Sequence, residues 1–148
     1  MPDVTSRVQQ LDHVELFVPD RTEAAAWYEH VLGLTWVAGL EHWAQDPHGP
    51  LMISPDGGNT KLALFEDASR AGERGAFDQV AFRIGGPGFL AFLERLPMLS
   101  LRNSDDETLS AESVRDHDGC FSLHFVDPWG HRIEVTTYEC EYVSGRLA

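Results

Sequence analysis

The 148-residue sequence predicts an α+β fold of two tandem βαβββ modules whose sheets enclose an open cleft. Three observations carry that expectation. The strings LDHVELFV (11–18) and FDQVAFRI (77–84) align without gaps, pairing Asp12 with Asp78, His13 with Gln79 and Val14 with Val80. Both strings alternate, which is the period of a strand with one face packed on a helix. Each is followed by a segment of helical period and then by short apolar runs separated by turn residues.

The elements follow in order. After the first string, Asp20 and Glu23 have capping-box spacing, Ala24, Trp27, Tyr28, Val31 and Leu32 recur at helical spacing, and Gly33 supplies the stop. Strands are then expected over 35–41, 51–54 and 61–65, with the loop AQDPHGP and the turn PDGGN between them. In the second half Pro87 opens a helix with the stripe Leu90, Phe92, Leu93 and Leu96, and Pro97 is expected to end it. Strands over 112–115, 121–126 and 131–137 follow, joined by the turns HDG and DPWG. Module one therefore covers 11–66 and module two 77–139, with the polar linker 67–75 between them, all within a single domain.

Composition narrows the function. Apolar residues make up 43% and charged residues 24%, as in ordinary globular domains. No apolar run approaches the roughly 18 residues of a membrane span. The opening MPDVTSRVQQ lacks the pattern of a signal peptide, so the expected location is cytoplasmic. The two cysteines, Cys120 and Cys140, then read as thiols rather than a disulfide. A net charge of −13, with Lys61 the sole lysine, disfavours nucleic-acid and membrane partners and says nothing of a small-molecule substrate. Open strand edges predict a homodimer.

Strand alternation assigns the cleft faces. Val14, Leu16 and Val18 face the helix, whereas His13, Glu15 and Phe17 face the cleft, with Gln79, Ala81 and Arg83 as their repeats. Lys61, Ala63 and Phe65, then Ser122 and His124, then Arg132, Glu134 and Thr136 complete the cleft faces. His13, Gln79 and Glu134 are the expected metal ligands: nitrogen or amide donors plus one carboxylate, with open positions, suit Fe(II), Mn(II), Zn(II), Ni(II) or Co(II). His124 is the candidate acid/base and Tyr138, with Arg83, a candidate for orienting substrate. His117 reads as a turn residue, and His30, His42, His48 and His131 as solvated.

These residues resemble the vicinal oxygen chelate superfamily, which includes glyoxalase I, fosfomycin-resistance proteins, bleomycin-binding proteins and extradiol dioxygenases. LDHVELFVPD…WYEHVLGL, TKLALFE, FDQVAFRI and FVDPWGHRIEV carry the resemblance, and the DPxGxxxE string is its most specific piece. It implies a metal-binding cleft with four ligand positions, here His13, Ala63, Gln79 and Glu134, of which Ala63 cannot bind. His117, Leu123, Asp127, Pro128, Gly130 and Glu134 also match the extradiol dioxygenase pattern in order and spacing, with His124 in place of its tyrosine. The resemblance thus implies a metal-dependent enzyme, most like the extradiol dioxygenases and with Fe(II) favoured, acting on a substrate that chelates the metal through adjacent oxygens. Glyoxalase-like isomerase or lyase chemistry and metal-free small-molecule binding are the alternatives.

Overall fold

The computed structural model describes residues 6–72 and 79–147. The chain divides into two compact units between Ala71 and Gly72.

In the first unit, β1 (His13–Val18) leads into α1 (Arg21–Leu32), then β2 (Thr35–Trp36), β3 (Leu51–Ser54) and β4 (Lys61–Glu66). The sheet order is β1-β4-β3-β2, with β1 and β4 parallel and the remaining pairs antiparallel. Asp20 accepts from the Glu23 amide to start α1, and Gly33 ends it at φ 75°, a left-handed conformation that glycine enters without steric cost. Ala24, Ala25, Tyr28 and Val31 are buried in the helix, and Leu16 and Val18 in β1. The strand expected over 35–41 stops after Trp36; a 3₁₀ turn (Glu41–Gln45) follows. Arg21 holds that loop by donating from Nη2 to the Ala44 carbonyl and from Nη1 to those of Asp46 and Gly49.

The second unit repeats the plan with β5 (Val80–Arg83), α2 (Gly86–Leu99), β6 (Arg115–Asp116), β7 (Phe121–Val126) and β8 (Arg132–Thr137). The order β5-β8-β7-β6, again with one parallel pair, matches the first sheet strand for strand. Phe77 and Asp78, at the start of the repeat string, lie outside the described residues. Helix α2 runs through Pro97 to Leu99 rather than ending there, and it buries Phe89, Phe92 and Leu96. Pro97 lacks the amide that would bond the Leu93 carbonyl, and the helix continues only two residues beyond it. Of the strand expected over 112–115 only Arg115 is strand, in β6 with Asp116; a 3₁₀ turn (Ala111–Ser113) precedes it. A short α3 (Cys140–Ser144) follows β8, and Glu139 beside it accepts from the Gly86 amide at the start of α2. That carboxylate meets the positive end of the helix dipole. Phe125, Leu123, Ile133, Val135 and Val143 complete this core, each full burial contributing about 1.5–3 kcal/mol.

No helix among the described residues is long and apolar enough to cross a membrane.

Candidate metal centre

The turn between β7 and β8 sets the register of the second sheet. Asp127 Oδ1 accepts from the amides of Trp129 (3.0 Å) and His131 (2.8 Å), and Oδ2 from the His131 ring at Nδ1 (2.6 Å). Gly130 takes φ 94°, which closes the turn. His131, expected to be solvated, is instead 3% exposed: its ring is a strut of the turn, not a surface group. The closure pairs His124 with Glu134 and Ser122 with Thr136 across the strands. Alternation then puts Ser122, His124, Arg132, Glu134 and Thr136 on the face opposite Leu123, Phe125, Ile133 and Val135.

Glu134 is the hub of that face. Its Oε2 accepts from Gln79 Nε2 (3.0 Å) and its Oε1 from Ser122 Oγ (2.8 Å), which also lies 3.1 Å from Thr136 Oγ1. The side chain is 14% exposed, so these two donors replace water at a largely desolvated carboxylate and fix its rotation. The bond from Gln79 brings its side chain, just ahead of β5, to the Glu134 face.

Two histidines converge on the same carboxylate. His124 Nε2 lies 4.0 Å from Glu134 Oε1 and 3.5 Å from His117 Nε2. One ligand atom from each of His117, His124 and Glu134 lies within 4.8 Å of the others. His117 reaches this position because the β6–β7 hairpin turns at Asp118 (φ 57°) and Gly119 (φ 134°), with the His117 amide donating to the Cys120 carbonyl. An Asp-Gly pair tolerates two positive φ values where β-branched residues would be strained. His117 therefore shares a face with Arg115 and Ser122, a placement that its position beside a turn did not disclose. Burial holds the His124 imidazole below the ordinary histidine range; Glu134 opposes that shift, while Arg115 and His117 reinforce it.

The donor set fits a divalent cation. Ligands about 2.0–2.1 Å from a common ion lie roughly 3–4 Å from one another, the spacing of the His124 contacts. A neutral imidazole presents the lone pair a metal requires, and the two hydrogen bonds to Glu134 are the kind that orient a ligating carboxylate.

The first unit uses its corresponding face differently. Ala63 is fully buried with Val37 and Met52, against Leu40 and Phe65. An apolar cluster thus occupies the strand position equivalent to that of Glu134. On the edge strand β1, His13 Nδ1 bonds Asp12 Oδ2 (2.8 Å), His13 Nε2 lies 3.5 Å from Glu15 Oε1, and Lys61 Nζ donates to Asp12 Oδ1 (3.0 Å). The Asp12 hydrogen bond is the largest cause raising the His13 imidazole above its ordinary range. Tyr138 is 62% exposed, with the Arg83 guanidinium 5.7 Å from its ring centre.

Comparison with known proteins agrees with this architecture. No curated protein matches the sequence significantly. Among solved structures, a variant of the fosfomycin resistance protein FosX from Listeria monocytogenes, complexed with Mn(II) and 1S,2S-dihydroxypropylphosphonic acid, aligns at TM-score 0.67 and 16% identity. That alignment covers 95% of this chain and 100% of that one. FosX from Mesorhizobium loti aligns at 0.60 and 18%, covering 96% and 100%, and the oxidase ChaP-H2 at 0.61 and 22%, covering 88% and 94%. At these identities the likeness shows a shared fold. The family model described as Glyoxalase/Bleomycin resistance protein/Dioxygenase superfamily matches residues 10–135, and the chain belongs to that superfamily.

Proposed function

We propose that the protein is a divalent-metal-dependent enzyme whose metal is held in the second unit by Glu134, His124 and His117. The observation that carries this reading is the convergence of three donor atoms within 4.8 Å, one of them a carboxylate already oriented by Gln79 and Ser122. A bound divalent ion would supply Lewis acidity toward a substrate oxygen. In this reading Glu134 and the two imidazoles hold the ion, Gln79 and Ser122 keep the carboxylate from rotating, and Tyr138 with Arg83 orients the substrate.

Non-redox chemistry is the first choice, supported by the FosX structures among the similar folds and by the Mn(II) bound in one of them. Dioxygenase chemistry with Fe(II) is the second reading. It is favoured by the spacing from His117 through Asp127-Pro128 to Glu134 and by the likeness to an oxidase. The ligand set expected from the sequence, His13 with Gln79 and Glu134, shares only Glu134 with the set proposed here, so variants separate the two.

The test is elemental analysis of protein purified without chelator. Wild type is expected to hold about one divalent ion per chain; Glu134→Gln, His124→Ala and His117→Ala should lose it, while His13→Ala keeps it. Loss confined to His13→Ala and Glu134→Gln would instead select the sequence-derived set. Metal retained in His124→Ala together with lost turnover would make His124 an acid/base rather than a ligand. Oxygen uptake by anaerobically Fe(II)-loaded protein with catechols would favour the second reading over the first.

A further inference from the structure

The face that bears Glu134 also concentrates positive charge in a strongly acidic chain. Strand register lays its residues out in rows. Arg115 pairs with Ser122, Ser122 with Thr136, and Thr136 with Arg83, forming one row across all four strands. The next row holds His124, Glu134 and Ala81. In the row beyond, Arg132 pairs with Val126, and Gln79, just ahead of β5, comes alongside. Rows on one face are two residues apart, about 7 Å along a strand. Glu134, the only carboxylate among the described residues on this face of the strands, is thus bracketed on both sides by arginines. Three of the chain's 11 basic residues stand here, although the chain carries a net charge of −13.

Two of those arginines border open space beside the site. Arg115 and Arg132 line a cavity of about 630 Å³ together with His124 and Gln79. The segment 103–113 lines the same cavity and contributes Asp105, Glu107 and Glu112, so its positive groups lie on the sheet, next to Glu134. A guanidinium presents a planar fork of N–H donors matched to carboxylate and phosphate oxygens, in a way that a solvated lysine does not.

We propose that the substrate carries an oxyanion, a carboxylate, phosphate or phosphonate, which Arg115 and Arg132 bind against the second sheet while Arg83 adds to the attracting field. This rests on the metal reading only for the identity of the occupant as substrate; the anion site itself is a property of the sheet face. Arg115 and Arg132 stand one row to either side of His124 and Glu134, so an oxyanion held between them would set the rest of the same molecule beside the metal ligands.

Inorganic phosphate is the probe. It would be titrated calorimetrically into metal-free and Mn(II)-loaded wild type, Arg115→Gln/Arg132→Gln and Arg115→Lys/Arg132→Lys, with bound Mn(II) measured by electron paramagnetic resonance on each sample. Phosphate affinity should fall at least about tenfold in the glutamine variant, be partly restored in the lysine variant, and weaken as salt rises. Mn(II) content should stay at the wild-type level in both variants. Failure of Mn(II) to bind any sample would defeat the metal reading, and the metal-free titration would still decide the anion site. Phosphate affinity unchanged in the glutamine variant, or no phosphate binding to wild type in either form, would overturn the proposal.

Discussion

Replacing Asp127 with alanine removes the acceptor around which the β7–β8 turn is built. The carboxylate accepts from two amides and one imidazole at 2.6–3.0 Å, and its side chain is fully buried. Hydrogen bonds to a charged group contribute about 1.5–3 kcal/mol each, but their simple sum overshoots because freed donors relax toward water. Loss of one partner from a buried pair costs about 3–5 kcal/mol, the range expected for Asp127→Ala. Asp127→Asn separates the contributions. It keeps an oxygen for the two amides but turns its NH₂ toward His131 Nδ1, which must then accept. That moves the ring proton to Nε2, which is buried without a hydrogen-bond partner among the described residues. The asparagine variant should therefore lose about 1–3 kcal/mol. Urea unfolding of metal-free protein, followed by circular dichroism and tryptophan fluorescence, reads both values. With m of about 2 kcal/mol/M, Asp127→Ala should lower the midpoint by roughly 2 M. A loss within about 0.5 kcal/mol, the range of ordinary surface changes, would refute this account of the turn.

Other expectations follow from the same geometry. In metal-free protein, NMR titration should find His13 titrating above the ordinary 6.5 and His124 below it. The raised group contributes stability that is complete below 6.5 and lost as pH rises through its folded value; the lowered group contributes stability present above 6.5 and lost as pH falls. Asp12→Asn should return His13 toward 6.5, and no change there would contradict the Asp12 hydrogen bond as the main cause. Ser122→Ala and Gln79→Ala should each weaken metal binding by about tenfold, the usual effect of removing a group that orients a ligand, and equal affinities by calorimetry would contradict that role. Sedimentation at micromolar concentration should show a dimer, since the four-stranded sheets end on edge strands; a species of only 16.5 kDa would exclude it.

Much of the fold was legible because its signals are local. The alternation in β1 and β8, the Asp20–Gly33 caps of α1 and the Asp127–Gly130 turn each depend on residues within a few positions, and all three form as read. Strands β2 and β6 were overread, because two-residue strands carry too little periodicity to mark their ends. Glu134 was legible as a carboxylate set between apolar neighbours in a strand, and Gln79 through the repeat. His117 was legible only through its spacing to Glu134 in the resemblance to the extradiol pattern; its place on the Glu134 face depends on where the β6–β7 hairpin turns, at Asp118 and Gly119. His131 is buried rather than solvated because the rest of the unit packs around the turn, which its local pairing with Asp127, four residues away, does not announce.

His117 and His124, with Glu134, are the groups proposed to hold a divalent ion in the second unit. The most direct test is zinc titration of protein with ¹⁵N-labelled imidazoles, following each Nε2 by NMR. The His117 and His124 Nε2 resonances should shift together and saturate at one equivalent of zinc, while His131 stays fixed. Saturation that moves His13 alone, or leaves all the imidazoles unchanged, would contradict it.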